Sequence, residues 1–328
     1  MGAFYDYKVM REIPFEASRA LRAYHKAVVA AFDATLPLHR AVYEAREAES
    51  AAGWNYETSY KKKVKPHQER LEKTSARSSA KHERLWKAIS PDEQAKYDQA
   101  VFDFHVRDDN VSAREEKVSP SGRYRLVVTT HPTGPGTWSY TRGKVYVGEN
   151  PTPVADVVRN YHDFWHTWVE GHPKGDFLLC GSDYQGQTVI ALPGVERMDS
   201  LSKSAEEGFG FCWARAEPSP DSRSLAVYGC IWAGPYETRI FDFSDPLALP
   251  YAEVGPEDCG ACRDFSWNPD GSCTFTTEVM VRKSDGKPER DLTREEVDAL
   301  DKAESEGTPS DDLWEEREET VESWRPSA

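Results

Sequence analysis

No stretch of the sequence reaches the roughly 18 consecutive apolar residues that a membrane span needs. Met1 to Pro14 holds no apolar run of signal-peptide length. The expectation is an intracellular chain with no membrane partner, cytoplasmic with the nucleus as an alternative. A Gly-x-Ser-x-Gly elbow, a Gly-x-x-x-x-Gly-Lys phosphate loop and a dinucleotide fingerprint are also missing. Acyl transfer and nucleotide chemistry therefore have no sequence support, and no cofactor is expected. Cysteine is sparse. The six that occur, Cys180, Cys212, Cys230, Cys259, Cys262 and Cys273, are read as reduced thiols. Four of them sit in strand-like runs, where a thiol packs as a small apolar group.

Large rings are plentiful instead. The 328 residues include 10 Trp, 15 Tyr and 13 Phe, and each buried ring removes roughly 150 to 250 Å² from water. This apolar mass favours a β-rich core over a plain helical bundle. The net charge of -15 argues against an electrostatic fit of the whole chain to nucleic acid. The charge is uneven: the first 117 residues hold 21 Lys+Arg and 19 Asp+Glu, a balance of +2, which leaves -17 for the remainder. A polyanion would meet the N-terminal part.

That part, residues 1-110, reads as a helical arm. Ala17, Leu21, Tyr24, Val28, Phe32 and Leu36 recur at steps of three and four and paint one apolar stripe between Glu16 and Leu36. Pro37 is expected to end or kink that helix, with a second helical stretch from Leu38 to about Ser50 and a polar third from Ser59 to Leu85. Ser90-Pro91-Asp92-Glu93 is a start signal: Ser90 can cap, Pro91 fits the first turn, and the two acids complement the positive end of the dipole. Trp86 to Tyr97 resembles the second helix of an HMG box, over about a dozen residues, and is read as a well-capped helix.

From about Val111, over residues 111-288, the texture changes to short β-branched and aromatic runs broken by turn residues. Four boundaries are alike: Ser119-Pro120-Ser121-Gly122, His172-Pro173-Lys174-Gly175, Ser219-Pro220-Asp221-Ser222 and Asn268-Pro269-Asp270-Gly271. A strand candidate follows each, at Tyr124 to Thr129, Phe177 to Cys180, Leu225 to Tyr228 and Cys273 to Thr277. A further strand is expected at Lys144 to Val147, Gln187 to Leu192, Thr238 to Phe243 and Val279 to Arg282. Three turns follow an aromatic strand expected to end in Trp168, Trp213 or Trp267. The fourth turn residues are separated by 53, 47 and 49 positions, a propeller-blade period. These turns resemble the Ser-Pro-Asp-Gly turns of WD40-like and TolB-like propeller repeats, over residues 111-288, although the WD dipeptide and Gly-His signature are absent. That resemblance implies an α+β chain: the helical arm plus an antiparallel, propeller-like β-domain of about four units. Leu178 to Ile190, Gly208 to Trp213 and Gly229 to Ala233 are similar to a family of uncharacterised proteins, which implies kinship and no activity. Residues 289-328 form an acidic tail in which Thr293-Arg294-Glu295-Glu296 fits a capping box. Glu304 to Ser323 is expected to be mobile in isolation.

Chemistry-bearing groups are scattered. His162 and His166 would share a face on a helix, but Tyr161 to Val169 reads as a strand, where they stand too far apart for one metal. Cys259 and Cys262 supply half of a zinc site at most, and no metal is assigned. Asp163, Glu170, Asp176, Asp183, Glu217, Asp221, Asp242 and Asp264 lie near strand ends, among 56 Asp+Glu. Lys61 to Lys65 reads as a solvated helix face.

The leading expectation is a non-enzymatic scaffold that binds a protein partner or itself. Trp165, Trp168, Trp213, Trp232 and Asp183 are its candidate binding residues. Leu21, Val28, Phe32, Trp314 and Trp324 are its candidate interaction residues. The first alternative is a hydrolase of a carbohydrate-like substrate with paired Asp/Glu at β-loop ends. The second is nucleic-acid binding through the arm.

Overall fold

The computed structural model describes residues 9–51, 61–134, 137–193, 196–232, 234–255 and 263–325. The chain divides into two compact units. The first comprises residues 1–118, 125–146 and 156–164; the second comprises residues 119–124, 147–155 and 165–328. The fold class is α+β, a helical arm followed by four antiparallel sheets in propeller-like succession.

In the first unit, helices α1 (Arg19–Ala51), α2 (Lys65–Trp86) and α3 (Pro91–His105) form the arm. Pro37 lies inside α1 and does not end it. One missing backbone bond is outweighed by packing along α2 and by intact bonds on either side. The capping signal at Ser90 operates as read, its hydroxyl accepting from the Glu93 amide. Glu93 also accepts from the Ser18 amide at 2.6 Å, so the start of α3 holds the start of α1. Leu21 is fully covered, among Met10, Ile89 and Tyr97. His25 donates from Nε2 to the Arg11 carbonyl and accepts at Nδ1 from the Tyr97 hydroxyl at 2.9 Å.

Strands β1 (Ala113–Val118), β2 (Tyr124–His131), β3 (Tyr140–Val147) and β4 (Ala155–Arg159) form the first sheet, in chain order. Arg142 of β3 clamps this unit. It grips Asp156 through two bonds of 2.8 and 2.6 Å and donates to the Val106 carbonyl beyond α3.

In the second unit, β5 (Thr167–His172), β6 (Gly175–Cys180), β7 (Gln187–Leu192) and β8 (Arg197–Ser200) form one sheet. After helix α4 (Lys203–Glu206), β9 (Phe211–Pro218), β10 (Ser224–Ile231) and β11 (Glu237–Asp242) form the next. The last contains β12 (Arg263–Trp267), β13 (Cys273–Arg282) and β14 (Trp314–Trp324), the last two separated by α5 (Arg294–Ser305) and α6 (Ser310–Leu313). Trp165, Val169, Phe177, Leu179 and Val189 pack against Trp213, Ala216, Leu225, Val227 and Phe243 to make the core between the first two of these sheets.

Several expectations need correction. Residues 161–166 are irregular, and the strand begins only at Thr167, because β4 ends at Arg159 and the chain must cross before pairing again. Trp168 and Trp213 lie near the starts of their strands. Val279 to Arg282 is not a separate strand but continues β13. The partner expected there is supplied by the acidic tail: β14 pairs with β13 from Cys273↔Trp324 to Arg282↔Trp314. The capping box at Thr293 is formed.

The first side chain accepts a backbone bond in three of the four turns, and in the fourth Asn268 instead donates to the Ser272 and Thr274 hydroxyls. Ser119 and Ser219 accept from the Tyr124 and Ser224 amides at 3.2 and 3.0 Å. In the second turn, His172 Nδ1 takes that acceptor role toward the Lys174 amide at 3.0 Å. The fourth position has a positive φ in all four, 76° at Gly122, 121° at Gly175, 59° at Ser222 and 81° at Gly271. A Cβ at Gly122 would meet nothing within 4 Å, so replacing it has a purely conformational cost. Gly122→Ala is expected to lower unfolding free energy by about 1 kcal/mol, and Ser222→Gly to leave it unchanged or raise it. Paired urea melts of the two variants check this, and equal losses would contradict it.

Candidate functional site

Three loops meet at one end of the β5–β8 and β9–β11 sheets. They are residues 181–186 between β6 and β7, 201–210 around α4, and 232 with 234–236 between β10 and β11. Strand register puts them together: Cys180 and Gln187 sit opposite Thr188 and Ser200, and Phe211 opposite Ile231. Gln185 locks the first two loops. Its side-chain carbonyl accepts from the Gly210 amide at 2.8 Å, and its amide group donates to the Ala205 carbonyl at 3.2 Å. The ring of Tyr184 meets that of Trp232 edge-on at 5.6 Å, linking the first loop to the third.

This end presents unusually large apolar groups to solvent. Phe209 is 65% exposed, Tyr236 52%, Leu201 51% and Trp232 43%. Tyr228 stacks on Tyr236 at 5.0 Å beside them. Exposed rings of this kind make this end the candidate contact surface. Asp183 turns inward, accepting from the Gln185 amide at 2.8 Å, and so shapes the first loop.

The other candidates lie elsewhere. Trp165 and Trp213 are buried, with ring centroids 5.7 Å apart. Trp168 stacks on Tyr124 at 6.1 Å. Leu21 is enclosed within the arm, while Val28 and Phe32 stay partly exposed, with the Arg11 guanidinium 5.9 Å from the Phe32 ring. Trp324 packs half-buried against Ile240, Cys273 and Phe275, and Trp314 is half-buried at the other end of β14. His162 is exposed and His166 half-buried in the irregular segment, and no group of three metal-ligating side chains occurs among the described residues. Cys259 and Cys262 lie outside the described residues. Among the described residues, no helix is long and apolar enough to cross a membrane. Phe209, Tyr184, Gln185, Leu201 and Tyr236 were not singled out by sequence reasoning. Their signal was the spacing of glycines around Phe209 and on either side of Tyr184.

A second cluster gathers carboxylates. Glu170 of β5 accepts from the Ser119 hydroxyl at 2.9 Å and from the Ser121 amide at 2.8 Å, with the Ser121 hydroxyl as a third donor. Asp176 of β6 accepts from the Tyr124 hydroxyl, the Gly171 amide and Arg123. Burial would raise both carboxyls, but these donors outweigh it and hold both below their ordinary values. Burial, then the bond to Asp176, pushes Tyr124 up to about 12. The cluster fastens the first turn to the β5–β6 hairpin, and neither acid is tuned as a proton donor.

No family model matches the sequence. The antiparallel repeats and helical arm define the class of the molecule, and one relative defines its kinship. The chain is 31% identical over 204 residues to Uncharacterized protein R762 of Acanthamoeba polyphaga mimivirus, a match covering 60% of this chain and 80% of that protein. This chain belongs to the same family as that viral protein. Among solved structures it is similar to a 6-phosphogluconolactonase candidate from Bacteroides uniformis. That match has 18% identity and a TM-score of 0.31, over 53% of this chain and 52% of that one. A TolB candidate from Agrobacterium tumefaciens is 10% identical with a TM-score of 0.28, over 51% of this chain and 55% of that one. The chain spans about half the length of each of these two structures.

Two outcomes test the site. Gln185→Ala strands the Gly210 amide, while the Ala205 carbonyl keeps the Gly208 amide as donor, and chemical denaturation should show a loss of about 1 to 3 kcal/mol. Amide exchange should rise first at residues 205–210. For the carboxylates, the folded values are depressed, so their stabilisation is present above the ordinary range and lost as pH falls through the folded values. Wild-type unfolding free energy should therefore fall more steeply between about pH 5 and pH 2 than that of Glu170→Gln/Asp176→Asn. Equal slopes would show that the cluster does not couple to folding.

Proposed function

We propose that this chain is a protein-binding module whose contact surface is the aromatic end of the β5–β8 and β9–β11 sheets. One observation carries the reading: Phe209 and Leu201 are exposed on a loop that Gln185 anchors, and Trp232 and Tyr236 are exposed on the loop that Tyr184 of the same anchored segment touches through the Trp232 ring. Rings held rigidly lose little entropy on contact, which is why aromatic residues dominate binding hot spots. Trp232 and Asp183 serve this surface, Trp232 by contact and Asp183 by shaping the loop. Trp165 and Trp213 support it from the core, while Trp168 packs on Tyr124 and takes no part. The arm adds a second contact through Val28 and Phe32, which remain partly exposed along α1. We place the module in the cytoplasm or nucleus.

The hydrolase alternative needs one carboxyl kept protonated near neutral pH. Four carboxylates at β-loop ends are held the opposite way. Glu170 and Asp176 are satisfied as described. For Asp221, burial is outweighed by the Ser219 hydroxyl and the Arg223 amide, and Asp242 is lowered by the Ser244 amide. Binding is therefore the better-supported reading.

Site-specific photo-crosslinking in cells tests it. A crosslinker at position 209 or 236 should give discrete adducts that one at the exposed Val118 does not, and Trp232→Ala should weaken them. Light scattering across concentrations then tells a second copy of this chain from another protein. Identical crosslinking from all three positions would refute the assigned surface.

A further inference from the structure

Beside the aromatic end, Cys212 of β9 and Cys230 of β10 are register partners, and both are thiols. Directly opposed residues of an antiparallel pair have Cα atoms about 4.5 to 5.5 Å apart and side chains on the same face. A disulfide spans about 4.4 to 6.8 Å between Cα atoms, so the backbone already lies within bridging range. The other described cysteines stand opposite different residues: Cys180 opposite Thr188, and Cys273 opposite Trp267 and Trp324. Cys273 is fully buried, and burial pushes its thiol up to about 12.

We propose that Cys212 and Cys230 are a reversible disulfide site oxidised by a hydroperoxide. The two differ in access, which orders the steps. Cys212 is half-buried and its thiol lies 3.7 Å from the Gly210 carbonyl, whereas Cys230 is only 7% exposed. The Cys212 thiolate attacks the outer peroxide oxygen; the O–O bond breaks, sulfur is oxidised to a sulfenic acid and water leaves. The Cys230 thiolate then attacks Cys212 Sγ; the S–O bond breaks, the S–S bond forms and a second water carries off the hydroxyl. Two thiols and one hydrogen peroxide thus give one disulfide and two waters. Bridged Cβ atoms must approach closer than opposed strand residues normally do, so the bridge is strained and readily reduced by low-molecular-weight thiols. It would tie β9 to β10 one residue from the Phe211–Ile231 pair and two from Trp232.

The experiment uses the full chain. After hydrogen peroxide, quenching with catalase and alkylation, unreduced peptide mapping should find Cys212 linked to Cys230, with both recovered as alkylated thiols after dithiothreitol. In Cys230→Ser the resolving thiol is gone, so dimedone should trap sulfenic acid at Cys212 where the wild type gives little adduct. Circular dichroism checks that the variant is folded. Both residues still alkylated as thiols after peroxide, a bridge from either to another cysteine, or no dimedone adduct at Cys212 in folded Cys230→Ser would each overturn the proposal.

Discussion

Trp213 lies between Trp165 on one side and Phe241 and Tyr251 on the other, with ring centroids 5.6 to 6.2 Å apart. Taking these rings out of water is the interaction on which the second unit depends, because sheets of three or four strands persist only where an apolar face is covered. Trp165 and Trp168 have ring nitrogens that are buried without an acceptor among the described residues, so both rings act through packing. Removing such a side chain costs on the order of 3 to 5 kcal/mol. Around this apolar contact, polar bonds fix the spacing of neighbouring sheets: Thr167 donates to the Ala216 carbonyl, His172 to the Phe243 carbonyl and Trp267 to the Glu217 carbonyl.

The same economy shapes the exposed end. Gln185 ties the first two loops to one another, and each is braced within itself, the first by Asp183 and the second by the cap of Ser202 on the Ala205 amide. Side chains that would normally collapse inward are therefore held out in water. A flexible loop would bury Phe209 by folding over, and one anchored at Gly210 has less freedom to do so. The cysteine pair sits in the β9–β10 ladder, next to the Phe211–Ile231 pair that closes it at this end.

What the sequence conveyed was largely local. Turns with Ser, Pro and a left-handed fourth residue are legible because the signal fits within four positions, and the helix starts at Ser90 and Thr293 are legible for the same reason. Pro37 misled because its cost depends on α2, which no local pattern shows. Glu315, Glu316 and Glu318 make β14 look like a solvated tail. Its strand character comes from pairing with β13, which sets Val321 opposite Phe275. At the site, Trp232 and Asp183 could be singled out by type, but Gln185 and Phe209 matter because of where register places them.

The insertion of α5 and α6 between β13 and β14 has a consequence for biosynthesis. On the ribosome β13 emerges with one edge lacking its eventual neighbour, and it must wait while two helices are made. During that interval Phe275 and Ile240 lack the cover that Val321 and Trp324 later give. The final sheet can thus be completed only after β14 is made, and until then an edge of β13 is open to other strands.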